Sequence, residues 1–485
     1  MGNISFNAIP VGIRTPGTYL EVDPSRALNG LPVERHRMLV MGHKVAAGSG
    51  AVNTVYRIAS ADAAVDYFGD GSLAQQLCAA VRRANDNVDL YAVALGEGSV
   101  AATGTLAFTG PATAAGTLWV YVGGSAVRVA VASGDTATDV AARLVTALNK
   151  DKANGVTATS SSGTVTVTAK HRSELGNSID LRHSYFDGER LPAGLGLTIT
   201  AMSGGSGNPD VQPAITAIGD AAFHTVVCPW FDAVNLGKIE ALMSTRFGPM
   251  VQKEGLAYTG ASGTVGTLTT LGTSRNSPHL VVVGSGKSPT PPWLWAATVA
   301  ALDAYESDPA RPRQTLAIPG VLAPAVADQW TREERNTLLY SGISTFRADL
   351  DGTCRVERLI TTYRLNAFGV EDTAYLDVET MRTIAYLRFT VRQRITTRYP
   401  RHKLANDGTV VSAGQAVVTP NVLRGELLAL FREWEAAGLA EDIGQFKRDL
   451  VVQRNDSDPN RVDAVIPPNV INQFRVFAGQ VQFRL

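Results

Sequence analysis

Two hydrophobic rhythms alternate along these 485 residues. Arg37-Met38-Leu39-Val40-Met41 and Asp89-Leu90-Tyr91-Ala92-Val93-Ala94-Leu95 are near-continuous apolar runs of the kind that strands show when both faces are covered. Between them Ser72 stands in N-cap position with Gln75 spaced for a capping box, and Leu73, Leu77 and Val81 recur every fourth residue. Strand, helix, strand in that order predicts a βαβ unit and the start of a parallel sheet. Near Gly96 the period shortens to two. Leu106/Phe108, Leu118/Val120/Val122, Val127/Val129/Val131 and Val165/Val167 alternate with polar or small residues, as half-buried antiparallel strands do, with one helix between them carrying Val140, Leu144 and Leu148. A Ser/Gly-rich joint over 203–209 closes this stretch.

The longer rhythm then resumes. Strands are expected at 224–228, 256–258 and 279–283, with one helix on Leu236, Ile239, Leu242 and Met243, and another opened by Pro291-Pro292 with Leu294, Ala297, Ala301, Leu302 and Tyr305 inward. Past Leu359-Ile360 the chain passes into a C-terminal unit. Its first helix, with Asp377 as N-cap, carries a Met381, Ile384, Leu387, Val391, Ile395 stripe and ends at Pro400. Its second opens at Thr419-Pro420, lines up Leu423, Leu427, Leu430, Phe431 and Trp434, and stops at Gly438. Strands are expected around Leu450-Val451-Val452 and over 471–485, where Gln480-Val481-Gln482-Phe483-Arg484-Leu485 alternates polar and apolar with nothing beyond to cover its edge. Prolines 10, 16 and 24 keep the first residues extended, with one short strand over 18–22. The expected division is an extended arm (1–30), an α/β domain in two parts (31–99 and 209–370), an inserted mostly-β domain (100–208) and an α+β C-terminal domain (371–485).

Composition narrows the function. Lys+Arg 44 equals Asp+Glu 44, so no global field draws the chain to nucleic acid or an anionic membrane. No stretch reaches the roughly 18 apolar residues of a membrane span, and the first ten residues lack a signal-peptide pattern. Cys78, Cys228 and Cys354 lie far apart with no paired spacing, which fits a reducing compartment, and the apolar neighbours of Cys78 and Cys228 make those two read as buried hydrophobes. Gly284-Ser285-Gly286-Lys287-Ser288 ends like a phosphate loop, but Val281 occupies the position of its first glycine, and Pro289, Pro291 and Pro292 obstruct the helix start it needs. The seven histidines form no metal-ligand spacing, His224 and His279 reading as packed or locally satisfied, and no Gly-x-Ser-x-Gly elbow occurs. No catalytic, cofactor or metal site is expected. The one charge feature is Arg382, Arg388, Arg392, Arg394, Arg398, Arg401 and Lys403, with no acid between Glu379 and Asp407. A basic helix of this kind is most often a solvated face, but uninterrupted like charge repels itself, which sets an acidic partner beside that reading, with nucleic acid the weaker candidate.

Residues 373–384, continuing through Arg392-Gln393-Arg394 to Tyr399-Pro400-Arg401, resemble the C-terminal domain of contractile phage tail sheath proteins, the Mu-like subgroup in particular. Residues 4–10, Arg14-Thr15-Pro16-Gly17, Gly116-Thr117-Leu118 and 129–136 are similar to that subgroup too. The resemblance implies a subtilisin-like α/β domain without catalytic residues, carrying the inserted β domain outward, and a C-terminal domain ending in an exchanged strand. It implies a structural subunit in stacked hexameric rings around a tail tube, contracting to drive that tube through a cell envelope. The partners it implies are further copies of the chain, the tube, baseplate and tail terminator proteins, with assembly in the bacterial host cytoplasm and a place in the virion. Arg382, Arg388, Arg392, Arg394 and Arg398 would face the tube. Arg14, Thr18, Tyr19, Leu20 and Val22, with Val481, Gln482, Phe483, Arg484 and Leu485, would be inter-subunit strands. Two readings from other classes stand beside it: a hydrolase-type enzyme on the α/β sheet, and an adhesion module on the insert.

Overall fold

The computed structural model describes residues 14–20, 31–412 and 414–484. The chain forms two compact units, Arg35–Met381 and a second that combines Met1–Glu34 with Arg382–Leu485.

The larger unit is built on an eight-stranded sheet. From one edge the order is Cys354–Arg358, Ile343–Ala348, Leu280–Gly286, Leu256–Ser262, Thr225–Val227, Arg37–His43, Asp89–Leu95 and Val55–Arg57. The six inner strands are parallel and each edge strand is antiparallel. Met38, Leu39, Val40 and Met41 are fully buried, as a strand covered on both faces requires. The Ser72 hydroxyl accepts from Gln75 N at 3.2 Å and starts the helix Leu73–Ala84, but the return arm of the expected box is absent: Gln75 Oε1 is buried without a partner. That helix lies so close to the sheet that a Cβ on Gly42 would meet the Ala74 backbone at 2.6 Å.

Residues 101–203 contribute two antiparallel sheets. One has the order Gly196–Ser203, Ala101–Thr109, Thr164–Arg172, Val156–Ser161, and the other Ser125–Val131, Gly116–Val122, Leu181–His183. The helix Ala137–Lys150 starts with a full capping box between Thr136 and Asp139 and buries Val140, Leu144 and Leu148. Gly123 and Gly124, at φ 56° and 81°, form the two-residue turn between paired strands.

Some expectations change. The helix Pro292–Tyr305 buries Trp293, Trp295 and residues 296–301, so it is apolar nearly all round; Leu294 and Leu302 are only half-buried, and Tyr305 is 64% exposed. The short helices Ala61–Phe68, Val265–Thr273 and Arg332–Tyr340 and the strands Ile343–Ala348 and Cys354–Arg358 lie outside the expected elements.

Two buried polar groupings tie this unit together. Asp303 and Arg313, both fully buried, pair at 3.1 Å, Tyr258 donates to Asp303 at 2.8 Å, and Arg313 N donates to Glu379 at 2.8 Å. His43, ending a sheet strand, stacks on His171 of the four-stranded sheet at 5.7 Å, with Trp230 and Trp293 edge-on to the two rings. Burial lowers His43 to about 4 and His171 to about 3. An unfolded chain takes up protons on both from about pH 6.5 downward while the folded one does not, so stability that is full above pH 6.5 falls toward pH 3. Urea unfolding should show a loss on the order of a few kcal/mol between pH 6.5 and 4. A His171→Phe chain should show a shallower slope; an unchanged slope contradicts this assignment.

Candidate functional site

The arginine helix runs from Val378 to Arg398. Its first turn belongs to the larger unit, where Glu379 is fully buried. Asp377, expected as its N-cap, holds Arg358 through two bonds of 2.9 and 3.0 Å. Beyond Met381 the buried positions are Thr383, Leu387 and Thr390, whereas Ile384, Val391 and Ile395 of the expected stripe are half-buried. The reason is the partner helix Pro420–Ala436. Its Trp434 is fully buried and donates its indole N–H to Thr390 Oγ1 at 3.0 Å, so a hydroxyl is buried at a position that the apolar stripe leaves out. That partner helix starts as expected, with Thr419 capping and Pro420 in the first turn, and packs Leu427, Leu430, Phe431 and Trp434, although Leu423 is half-buried. Phe431 stacks on Phe446 at 4.2 Å to close this core, and Gly438 at φ 69° takes the chain out of the helix.

The charges of this face have a local answer that the linear sequence hides. Arg394 pairs with Glu433 and, at 3.7 Å, with Glu426, and Arg398 pairs with Glu426 at 2.7 Å. The relief missing along the arginine helix itself therefore comes from the next helix. Arg392 lies 5.8 Å over the Phe389 ring; Arg382, Arg388 and Arg392 are half-buried, and Arg401 is exposed.

Of the expected inter-subunit residues, Arg14, Thr18, Tyr19 and Leu20 are exposed and irregular, with Leu20 89% exposed, so no strand forms over 18–20. Val22 and Leu485 lie outside the described residues. Val481, Gln482, Phe483 and Arg484 are exposed, with Val481 at 91% and Phe483 at 80%. The strand expected over 471–485 is absent from 471–484 within this chain. A strand exists only as one side of a ladder, and the last ladder here is Asn469–Val470 on Ala440–Glu441. The strand expected near Val451 is present and pairs with Val462–Val465. Thus the smaller unit contains only two-stranded ladders among its described residues, beside a segment whose Phe474, Val476, Phe477, Val481 and Phe483 are open to solvent.

Lys287 pairs with Asp328 at 2.7 Å and the Ser288 hydroxyl donates to Leu322 O, so the Gly-Ser-Gly-Lys-Ser stretch ends a strand and anchors a turn. Among the described residues no cluster of three or more His, Cys, Asp or Glu could hold a metal, and no helix is long and apolar enough to cross a membrane. The three thiols are buried and pushed up to about 12 by that burial. His224 accepts from Arg37 N, and His279 is buried against Phe247 with its Nδ1 unpartnered.

Residues 204–362 match the family model of the phage tail sheath protein central domain, and residues 370–484 that of the phage tail sheath C-terminal domain. The chain is 42% identical over 487 aligned residues to the Mu-like prophage FluMu tail sheath protein of Haemophilus influenzae, covering 100% of both. The chain belongs to the phage tail sheath family. As a tail sheath protein of the Mu-like kind it is a structural component of a contractile phage tail. Its mixed α/β, multidomain fold is similar to a crystal structure of a sheath tail protein from Listeria innocua, at 12% identity and a TM-score of 0.50 over 92% of this chain and 94% of that one. A second sheath tail protein, from Desulfitobacterium hafniense, aligns at 14% identity with a TM-score of 0.48 over 94% and 100% of the two chains. The residues that sequence reasoning missed in this sheath protein are Glu426 and Glu433; their seven-residue spacing on the helix after the arginines was the available signal.

Proposed function

We propose that this sheath subunit polymerises as stacked hexameric rings around an inner tail tube and contracts to drive the tube through a target cell envelope, with baseplate and tail terminator proteins at its ends. It is assembled in the bacterial host cytoplasm, inserts in no membrane, binds no nucleic acid directly and catalyses no reaction. The observation that carries the reading is the C-terminal segment, which alternates polar and apolar residues yet leaves Val481 and Phe483 in solvent. Exposed strand edges invite a second chain, and two-stranded ladders are too small to be stable alone. Added strands from neighbours, Val481 to Leu485 on one side and the arm at Arg14 to Val22 on the other, complete those ladders and chain the subunits together. Head-to-tail contacts that do not close on themselves generate a helical array, so one subunit type can build a long cylinder. In this reading residues 31–99 and 209–370 form a subtilisin-like plate, 100–208 sit on the outside, and 371–485 line the inside.

Arg382, Arg388, Arg392, Arg394 and Arg398 form the tube-facing set, giving modest, salt-sensitive contacts that hold the extended state and are lost on contraction. The test changes Arg388 and Arg392, which lie one helical turn apart. Arg388→Glu with Arg392→Glu should abolish co-assembly with the tube in electron micrographs while the circular dichroism of the subunit stays unchanged. Normal extended tails from this double variant would defeat the assignment.

A further inference from the structure

Within the larger unit, the loop over 363–375 holds an aromatic side chain out in solvent. Phe368, near its tip, is 90% exposed, with Val370 beside it 59% exposed. A single exposed apolar residue means little, but this one stands on a fixed mount. Asn366 Oδ1 accepts from Phe368 N at 2.9 Å and from Val370 N at 3.2 Å, and Gly369 turns the chain at φ 74°. At the root, Asn276 Oδ1 accepts from Arg364 N and Leu365 N at 2.8 and 3.0 Å, and the Tyr363 hydroxyl donates to Asp372. A loop ordered in this way loses little conformational entropy when a partner covers it.

A cavity wide enough for the ring lies at the opposite end of the same strands. Its volume is about 140 Å³, and the Trp330 and Phe346 rings, 5.2 Å apart, stand in its wall with Arg335 and Arg347. An apolar cavity of roughly 150 Å³ takes up benzene, so there is room for one phenyl group. The strand Leu280–Gly286 ends against this site, where a Cβ on Gly286 would lie 3.2 Å from the Trp330 ring. The loop is rooted at the amino end of that strand, beside Thr362, whose N donates to Leu280 O at 2.8 Å. Seven residues of strand, roughly 20 Å, lie between the two ends. Phe368 therefore does not reach the cavity of its own chain.

The charges match as the shapes do. Glu371, opposite Leu365 across the loop, is exposed and makes no ion pair among the described residues, and the same holds for Arg347. Arg335 is already paired with Glu357 at 2.9 Å, so Arg347 is the cavity's available cation. We infer that Phe368 of one copy seats between Trp330 and Phe346 of the next copy, with Glu371 paired to that copy's Arg347. The contact rests on the polymerisation proposed for this subunit and is separate from the strand at 480–485. Ring and cavity are different surfaces at opposite strand ends, so the joint is head-to-tail and can repeat from copy to copy.

Sedimentation velocity of the full-length protein over a concentration series, with electron microscopy of the products, tests this. Phe368→Ser should raise the concentration needed for polymerisation about tenfold, as loss of a central aromatic anchor does, and leave the melting temperature unchanged because the side chain is exposed. Arg347→Glu and Glu371→Arg should each raise that concentration several-fold by setting like charges together, and the double variant should return it toward the unmodified value. Phe368→Ser that polymerises like the unmodified chain overturns this contact, and so does a double charge exchange no better than its single variants; either leaves the strand-exchange reading standing. An unmodified chain that forms no polymer at any concentration removes the proposed function and this contact together.

Discussion

Deleting residues 480–485 should convert a polymerising subunit into a soluble, folded monomer. The removed side chains Val481, Gln482, Phe483 and Arg484 are exposed in the subunit, so the stability of the fold should change by less than about 0.5 kcal/mol, the usual range for surface changes away from special features. Assembly is a different matter. A strand added to a neighbour's ladder makes several backbone hydrogen bonds of about 0.5–1.5 kcal/mol net each, and it covers Val481 and Phe483, which have no other cover. A joint of only about 3 kcal/mol corresponds to more than 100-fold in association, and in the proposed assembly every subunit along the tail would make it. Sedimentation velocity and thermal unfolding of the truncated chain read the two effects separately. Sheath that still assembles from it would remove the strand-exchange claim.

The second large effect is expected inside the subunit. Asp303→Ala should lower the unfolding free energy by about 3–5 kcal/mol, because it leaves the fully buried Arg313 guanidinium without its carboxylate. Tyr258 loses its hydrogen-bond acceptor in the same step. Replacing both charges, Asp303→Leu with Arg313→Met, should recover much of the loss, since removing the second ion also removes the uncompensated charge. Equilibrium unfolding in urea measures both. A single-variant loss under about 1 kcal/mol would mean that the backbone carbonyls around Arg313 suffice to hold its charge.

What could be read from the sequence follows from how local the signal is. The strand pair Met38–Met41 and Leu90–Leu95 and the helix on Leu73, Leu77 and Val81 are recoverable because both-face burial and period 3.6 are written in consecutive residues. The strand Val156–Ser161 is not, because its outward face is Thr and Ser, only Val156 and Ala158 turn inward, and β signals that weak are decided by the neighbouring strand. The apolar stripe puts Tyr305 inward, but a one-sided stripe does not apply to a helix buried on most sides. At the candidate site the arginines themselves are legible, but their pairing with Glu426 and Glu433 joins residues about 30–40 apart and needs the fold. Thr390 belongs with them: a buried threonine gives no apolar signal, and only the Trp434 indole explains it. The C-terminal segment is the opposite case. Its alternation predicts a strand, yet residues 471–484 join no ladder among the described residues, because alternation marks a strand face without naming the partner that a ladder needs.

Electron cryomicroscopy of the assembled full-length protein tests the central claim most directly, by tracing residues 471–484 through the map. The account predicts that this segment leaves its own subunit and runs as a strand beside a neighbour's two-stranded ladder, with Val481 and Phe483 covered there. A segment folded back on its own subunit, or unpaired in an otherwise ordered sheath, would contradict it.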